Sequence, residues 1–237
     1  MTQLAARTVV VTGANRGLGR EFVHQLLERG VTTVYAAARD PKTIDATDPR
    51  VVPLQLDVTD PDSVARAAEL ADGVSVVVNN AGILTAASVV GDDTSQLRRE
   101  LEVNLFGPLA VTSAFADSVT ERSGVVVNVA SALSWIALGG SYSVSKAALW
   151  SATDSMRLQL RPRGVQVVGV YMGYVDTDMA AGVEAAKTSP ADVVRQVLDG
   201  IESGASEILA DDLARDVRAS LSQPVGARYA AYLPEAV

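Results

Sequence analysis

Tyr142-Ser143-Val144-Ser145-Lys146 sets a phenol and an ammonium four positions apart, the spacing that puts two side chains on one face of a helix. An unperturbed tyrosine has a pKa of about 10, too high for an efficient base near neutrality. A lysine charge beside it favours the phenolate and lowers that value, each unit being worth about 1.4 kcal/mol. Ser131 follows the β-branched run Val125–Ala130, and its hydroxyl would hold a substrate carbonyl against the phenol. A Tyr-x-x-x-Lys pattern by itself usually marks an exposed helix face, so its meaning depends on its surroundings.

Composition narrows the other chemistry. Cysteine is absent, which removes disulfides, thiolate zinc sites and cysteine nucleophiles together. His24 is the only histidine; it falls inside a helical pattern and reads as a structural or surface residue. A Ser-His-Asp hydrolase would need it, and no Gly-x-Ser-x-Gly elbow accompanies it. No metal site is expected. Lys plus Arg is 20 against 28 for Asp plus Glu, a net charge of −8 with no basic run, which argues against nucleic acid. No stretch approaches the ~18 apolar residues of a membrane helix. Met1 to Thr8 carries one basic residue and no long apolar core, unlike a secretory signal. A cytoplasmic, globular protein is expected, since 48% of the residues are hydrophobic and 20% charged, proportions outside the disordered range.

A second constellation is Thr12-Gly13-Ala14-Asn15-Arg16-Gly17-Leu18-Gly19. Glycines at 13, 17 and 19 permit a tight turn, close backbone approach to a pyrophosphate, and close packing of helix on strand, with free N–H groups at the helix start facing the anion. The spacing is G-x-x-x-G-x-G, not the commoner G-x-G-x-x-G. In a dinucleotide fold the residue ~20 positions on meets the adenosine ribose, and here it is Arg39. A guanidinium fork pairs with phosphate oxygens, so Arg39, with Arg16 inside the turn, points to NADP. Asp40 next door is the residue that would instead serve a free 2′-hydroxyl.

These groups need a frame, and the pattern supplies one. Thr8–Thr12, Thr33–Ala38, Val51–Leu56, Ser75–Asn79, Val125–Ala130 and Val165–Val170 read as buried strands. Leu18–Arg29, Pro61–Leu70, Ser95–Glu121, Ser143–Arg161 and Ala191–Ser203 read as helices between them. Near-continuous apolar strands alternating with helices predict a doubly wound parallel α/β sheet covered on both faces, Rossmann-type. No repeat or linker interrupts it, so residues 1–237 are expected to form one domain. Beyond Ser189 there is room for a helix, a strand and a tail.

In this frame the chain resembles the short-chain dehydrogenase/reductase family over nearly its whole length. The resemblance is carried, in order, by the glycine turn Gly13–Gly19, Asp57-Val58, Asn79-Asn80-Ala81-Gly82, Asn104, Ser131 and Tyr142/Lys146. It implies that Tyr142 is the general acid/base. Lys146 would lower its pKa and hold the nicotinamide ribose, and Ser131 would orient the carbonyl. Asn15 and Leu18 belong to the same cofactor turn as its glycines. Asp57 and Val58 would contact adenine, while Asn80, Ala81 and Gly82 would line the ribose side. Asn104 is supported independently: Pro108, four residues on, has no N–H to give its carbonyl, and Gly107 weakens the helix further. The carbonyl left free at that kink could bind a water, the end of the family's proton relay.

Two departures from the family pattern stand out. The usual Pro-Gly after the sixth strand is replaced by Tyr171-Met172-Gly173-Tyr174-Val175-Asp176-Thr177, although Gly173, Val175 and Thr177 still match the segment that contacts nicotinamide. The interval from Ser131 to Tyr142 is also slightly short. Trp135, Ile136, Met172, Tyr174, Met179 and Val183 are the candidate substrate pocket, an apolar and aromatic set that favours a small hydrophobic ketone or secondary alcohol. The expected activity is hydride transfer between NADP(H) and such a pair. The rivals are an NADP-binding regulatory protein without turnover, and an epimerase or dehydratase, which would need a larger C-terminal domain. A homodimer or homotetramer is expected from the helices Ser95–Glu121 and Ser143–Arg161, with Leu149 and Trp150 adding apolar surface.

Overall fold

Val9, Val10 and Val11 alternate between two apolar layers, as successive residues of a strand buried on both faces must. The structure, a computed structural model, describes residues 3–232. The first two residues of the N-terminal segment and 233–237 of the C-terminal tail lie outside the described residues. Seven strands, β1 (Thr8–Thr12), β2 (Thr33–Ala38), β3 (Val51–Gln55), β4 (Val76–Asn79), β5 (Val125–Val129), β6 (Gln166–Tyr171) and β7 (Glu207–Leu209), form one parallel sheet in the order β3-β2-β1-β4-β5-β6-β7. Strand order reverses between β1 and β4, the place where such sheets open a crevice beyond the strands' carboxyl ends. Pro53, which gives no ladder N–H, sits on the edge strand β3, where it does least harm.

The helices are α1 (Gly17–Glu28), α2 (Pro61–Leu70), α3 (Ser95–Leu101), α4 (Gly107–Ala114), α5 (Ala116–Glu121), α6 (Ser141–Leu160), α7 (Pro190–Ser203), α8 (Asp212–Ala219) and α9 (Val225–Arg228). Phe22 and Leu26 of α1 and Val194, Val197 and Leu198 of α7 cover one sheet face with Val9, Val11, Val76 and Val127. Val64 of α2, Val111 of α4, Phe115, Val119 of α5, and Met156 and Leu160 of α6 cover the other with Val10, Val77 and Val126. A third cluster, where Trp135 and Tyr171 meet Ala214 and Val217 of α8, closes the sheet's end.

Three expectations are corrected. The helix read as Ser95–Glu121 is broken: α3 widens into a π-turn over Glu102–Phe106, where Gly107 N–H bonds the Glu102 carbonyl, and α4 ends at Ala114, with Phe115 between it and α5. Pro108 cannot give the i→i−4 bond to Asn104, and widening the turn is how the chain passes it. The catalytic-pattern helix α6 starts at Ser141, two residues early, so Tyr142 lies in its first turn. Beyond β7 the chain is helical and not a plain tail, since Asp211 caps α8 by accepting from Ala214 N–H at 2.8 Å.

Candidate active site

β1 delivers the glycine turn to the crevice. Gly13 and Gly17 have φ of 64° and 52°, the left-handed region that favours glycine. A Cβ on Gly19 would stand 2.1 Å from the Gly13 carbonyl oxygen, so the start of α1 can approach the turn only without one. Thr12 fastens this turn to the one after β4. Its Oγ1 accepts from Asn80 N–H and Ala81 N–H, each at 3.0 Å, while Asn80 Nδ2 donates to the carbonyls of Thr12 (2.9 Å) and Gly13 (3.2 Å). Thr12 is a site residue the sequence reading passed over; its signal is a hydroxyl closing the strand before the first glycine. No side chain caps α1, which leaves its first-turn N–H groups to an external anion. This cradle fits a dinucleotide.

The remaining cofactor candidates surround that turn. Asn15 is half-buried within it, and Leu18 packs on the core beneath. Arg39 is exposed at the end of β2, and its charge helps hold the Asp57 carboxyl below its ordinary range, after the larger effects of the Thr59 backbone N–H and hydroxyl. Asp40 accepts from Lys42 N–H at 3.1 Å, so its carboxylate is engaged in capping a local turn. Val58 packs where a Cβ on Gly107 would fall, 2.8 Å from its Cγ2. Arg16 pairs with Asp178 at 3.4 Å, both well exposed, a link from the glycine turn to the segment after β6. Thr177 lies against the same turn, its Cγ2 3.3 Å from where a Cβ on Gly17 would be. Gly173 N–H donates to Asp211 Oδ2 at 2.7 Å, and Val175 pairs with Thr188.

The candidate reacting groups come together at the carboxyl end of β5. Tyr142 is 7% exposed, Ser131 7%, Lys146 4% and Asn104 0%. Lys146 Nζ donates to the Val129 carbonyl at 2.8 Å and stands 5.6 Å from the Tyr142 ring centre. Ser131 Oγ donates to the Met172 carbonyl at 3.4 Å and accepts from Leu133 N–H at 3.1 Å. Asn104 Oδ1 accepts from Ile83 N–H, and its Nδ2 donates to the Ile83 carbonyl and to Ser145 Oγ, all at 2.9 Å. A Cβ on Gly82 would fall 3.2 Å from Asn104 Oδ1 and 3.7 Å from Lys146 Nζ, so this glycine keeps the floor of the crevice open.

Burial dominates the electrostatics here. Burial pushes the Tyr142 phenol well above its ordinary value, the negative charge of Glu100 adds to that, and a hydrogen bond with Ser131 opposes it. Burial also pulls the Lys146 ammonium down to about 8. The Lys146 ammonium, desolvated and bonded to the Val129 carbonyl, stands on the same side as the phenol ring. A bound, charged nucleotide would change that balance for both groups.

The six pocket candidates divide between different surroundings. Trp135 is 4% exposed, stacks on Tyr171 at 4.2 Å and meets Trp150 edge-on at 6.1 Å; it belongs to the third core cluster, as does Ile136. Met172 packs in the main core. All three are thus packed in apolar clusters, Trp135 and Ile136 beside Ala214 and Val217 of α8 and Met172 in the main core. Tyr174 and Met179 are exposed and Val183 half-buried. His24 lies on the surface 3.8 Å from Glu28. Among the described residues no cluster of three His, Cys, Asp or Glu side chains could hold a metal ion, and no helix is long and apolar enough to cross a membrane.

Comparison with known proteins gives a consistent picture. The short chain dehydrogenase family matches residues 7–188. An uncharacterized oxidoreductase of Myxococcus xanthus is 33% identical over 194 residues, covering 76% of this chain and 77% of that protein. A short chain dehydrogenase from Burkholderia cenocepacia, solved in complex with NADP, is 36% identical with a TM-score of 0.93, covering 98% of this chain and all of that one. The NADPH-bound carbonyl reductase from chicken fatty liver is 26% identical with a TM-score of 0.79, covering 87% and 97%. Against two fungal short-chain dehydrogenases the chain spans only 62% and 64% of the relative's length.

Proposed function

The chain belongs to the short-chain dehydrogenase/reductase family, and from that premise we propose that it is an NADP(H)-dependent oxidoreductase acting on a small, mostly hydrophobic ketone/secondary alcohol pair. The observation that carries the reading is the burial of Ser131, Tyr142 and Lys146 together, beside the glycine cradle at the switch point of the sheet. Gly13–Gly19 and the uncapped start of α1 would hold the pyrophosphate. Arg39 and Arg16 would meet a 2′-phosphate, and Asp57 and Val58 the adenine. Asn80–Gly82, Lys146, Gly173, Val175 and Thr177 would flank the nicotinamide half. The NADP in the Burkholderia cenocepacia protein and the NADPH in the chicken carbonyl reductase support this choice.

The nicotinamide, when bound, supplies or takes the hydride. In reduction Ser131 would fix the substrate oxygen by a hydrogen bond while Tyr142 gives it a proton. Its elevated proton affinity keeps the phenol loaded at neutral pH. In oxidation Tyr142 would take that proton back, which requires a cation nearby to stabilise the phenolate. Lys146, on the same face of α6, is the available one. Asn104 would keep the Ile83 segment and α6 in register behind them. Tyr174, Met179 and Val183 remain the apolar candidates to meet the substrate.

A panel of aryl and alkyl ketones and alcohols, followed by NADPH absorbance and repeated with NADH, tests the proposal. Turnover is expected with NADPH and hydrophobic ketones. Equal kcat/KM with NADH would overturn the cofactor assignment, and no turnover across the panel would overturn the enzyme reading. An aryl ketone against its para-carboxylate tests the pocket: a tenfold preference for the carboxylate would reveal a cation facing the substrate.

A further inference from the structure

Glu100 is the only acidic side chain among the described residues that is fully buried, and nothing in the proposed reaction uses it. It lies on α3 one helical turn before Asn104, and the two reach the same segment of chain. Glu100 Oε1 accepts from Thr85 N–H at 2.5 Å, from Thr85 Oγ1 at 2.8 Å and from Ala86 N–H at 3.2 Å; Asn104 exchanges two hydrogen bonds with Ile83. Ala86 is held at φ 51°, a left-handed conformation that an alanine keeps only when its neighbours impose it. The next residue meets α6: Ser141 N–H donates to the Ala87 carbonyl at 2.9 Å, and Ala87 N–H donates to Ser141 Oγ at 3.0 Å. Gly140 allows this approach, since a Cβ there would stand 2.3 Å from the Ala87 oxygen. Contacts thus run without a gap from Glu100 through 85–87 to Ser141, beside Tyr142.

We propose that Glu100 is a positioning residue for the reaction assigned above, its side chain clamping residues 83–87 against the first turn of α6 and so fixing the place of Tyr142. The inference rests on the reading of Tyr142 as the proton donor and acceptor. One observation separates it from an ordinary buried hydrogen bond, and an electrostatic effect supports it. Glu100 Oε2 has no hydrogen-bond partner, so the clamp employs only half of a costly group. Its charge also reaches the phenol, being the second cause, after burial, that raises Tyr142. The other titratable or charged groups on the elements packed around Glu100 are Lys146 and the mutually paired Asp154 and Arg157 on α6, the exposed Arg98 and Arg99 on α3, and the exposed Glu102 in the π-turn. Residues 83–87 carry none.

Glu100→Gln keeps one acceptor oxygen for all three donors and removes the charge, whereas Glu100→Ala removes both. In alcohol oxidation, where the phenolate is the base, kcat rises with pH through the apparent pKa of Tyr142. Glu100→Gln is expected to move that limb to lower pH by about one unit, because a like charge has gone, with the affinity for NADPH within about threefold of the wild type. Glu100→Ala is expected to lose at least about tenfold in kcat as well, since small misplacements of a reacting group are costly; if it does not fold, the Gln variant alone decides. A Glu100→Gln profile superimposable on the wild type, beside an inactive Tyr142→Phe, overturns this inference alone. A Tyr142→Phe protein that turns over normally overturns the reading of the site and this inference with it.

Discussion

Tyr142 and Lys146 are both buried, and burial acts on them in opposite directions: it holds the proton on the phenol and loosens it from the ammonium. Tyr142→Phe keeps the ring and removes the transferable proton. Turnover should fall about 10²–10⁴-fold, with NADPH binding by fluorescence titration retained. The lysine makes a separate prediction for the nucleotide-free protein. Its pKa is about 8 folded against the ordinary 10.5. Between those values the unfolded chain carries a proton that the folded chain has released, so stability rises with pH across that window. The stability of the wild type relative to Lys146→Met should therefore climb from pH 8 to 10.5 and stay level below pH 8. Urea unfolding at a series of pH values measures it; a level difference throughout would mean the ammonium is better paired than its single bond to Val129 indicates. At the cofactor end, Arg39→Asp replaces a cation beside Asp57 with a repelling carboxylate. It should weaken NADPH about ten- to a hundred-fold, the worth of a charge-assisted bond, while NADH binding changes little.

The elements that carry these residues are joined by polar bonds beyond the strand ends. β1 and β4 are tied by Thr12, whose oxygen receives two backbone N–H groups. Thr12→Val keeps the shape and strands the Ala81 N–H, while Asn80 N–H still reaches the Val78 carbonyl at 3.1 Å, so it should cost about 1–3 kcal/mol, and it should weaken nucleotide binding by loosening Gly13. Chemical denaturation and an NADPH titration on the same variant would show whether both losses occur. β4, β5, α4 and α6 are joined in the same manner: Asn79 Nδ2 donates to Thr112 Oγ1 and Asn128 Oδ1, and Asn128 Nδ2 to Thr153 Oγ1. The π-turn belongs to this scale as well. It lets Glu100 near the end of α3 and Asn104 in the turn itself face one segment, while α4, starting at Gly107, packs Val111 on the sheet.

At the scale of the molecule, the sheet places the candidate reacting groups at one end and leaves apolar side chains on the helices of one side. Phe106, Val144 and Leu158 are exposed on the π-turn and α6. Leu149, expected at an interface, is instead buried against the third core cluster, and Trp150 leans edge-on to Trp135. A symmetric dimer or tetramer formed through that side is the expected assembly. Light scattering should return a multiple of the 24.7 kDa chain mass, and Phe106→Asp should shift it towards the monomer. A monomer in the wild type at micromolar concentration would refute the assembly.

The amino-acid sequence alone determined the alternation of strands and helices, the glycine turn before the first helix, the position of Arg39 and the pairing of Tyr142 with Lys146. Each depends on short-range spacing: a period of two on a buried strand, a turn between strand and helix, four residues along one helix face. The kink at Asn104 was visible for the same reason, since a proline four residues on removes one identifiable bond. What only the tertiary structure decided depends on groups far apart in the chain. Trp135 packs in the core because α8, a short helix that turns Ala214 and Val217 inward, folds back over it. Thr12 matters because β4 ends beside it. Glu100 is buried because residues 83–87 bring donors to it, and the proton affinities of Tyr142 and Lys146 follow from how completely other elements exclude water from them. Desolvation is set by every element that packs around a group, and no local spacing encodes it.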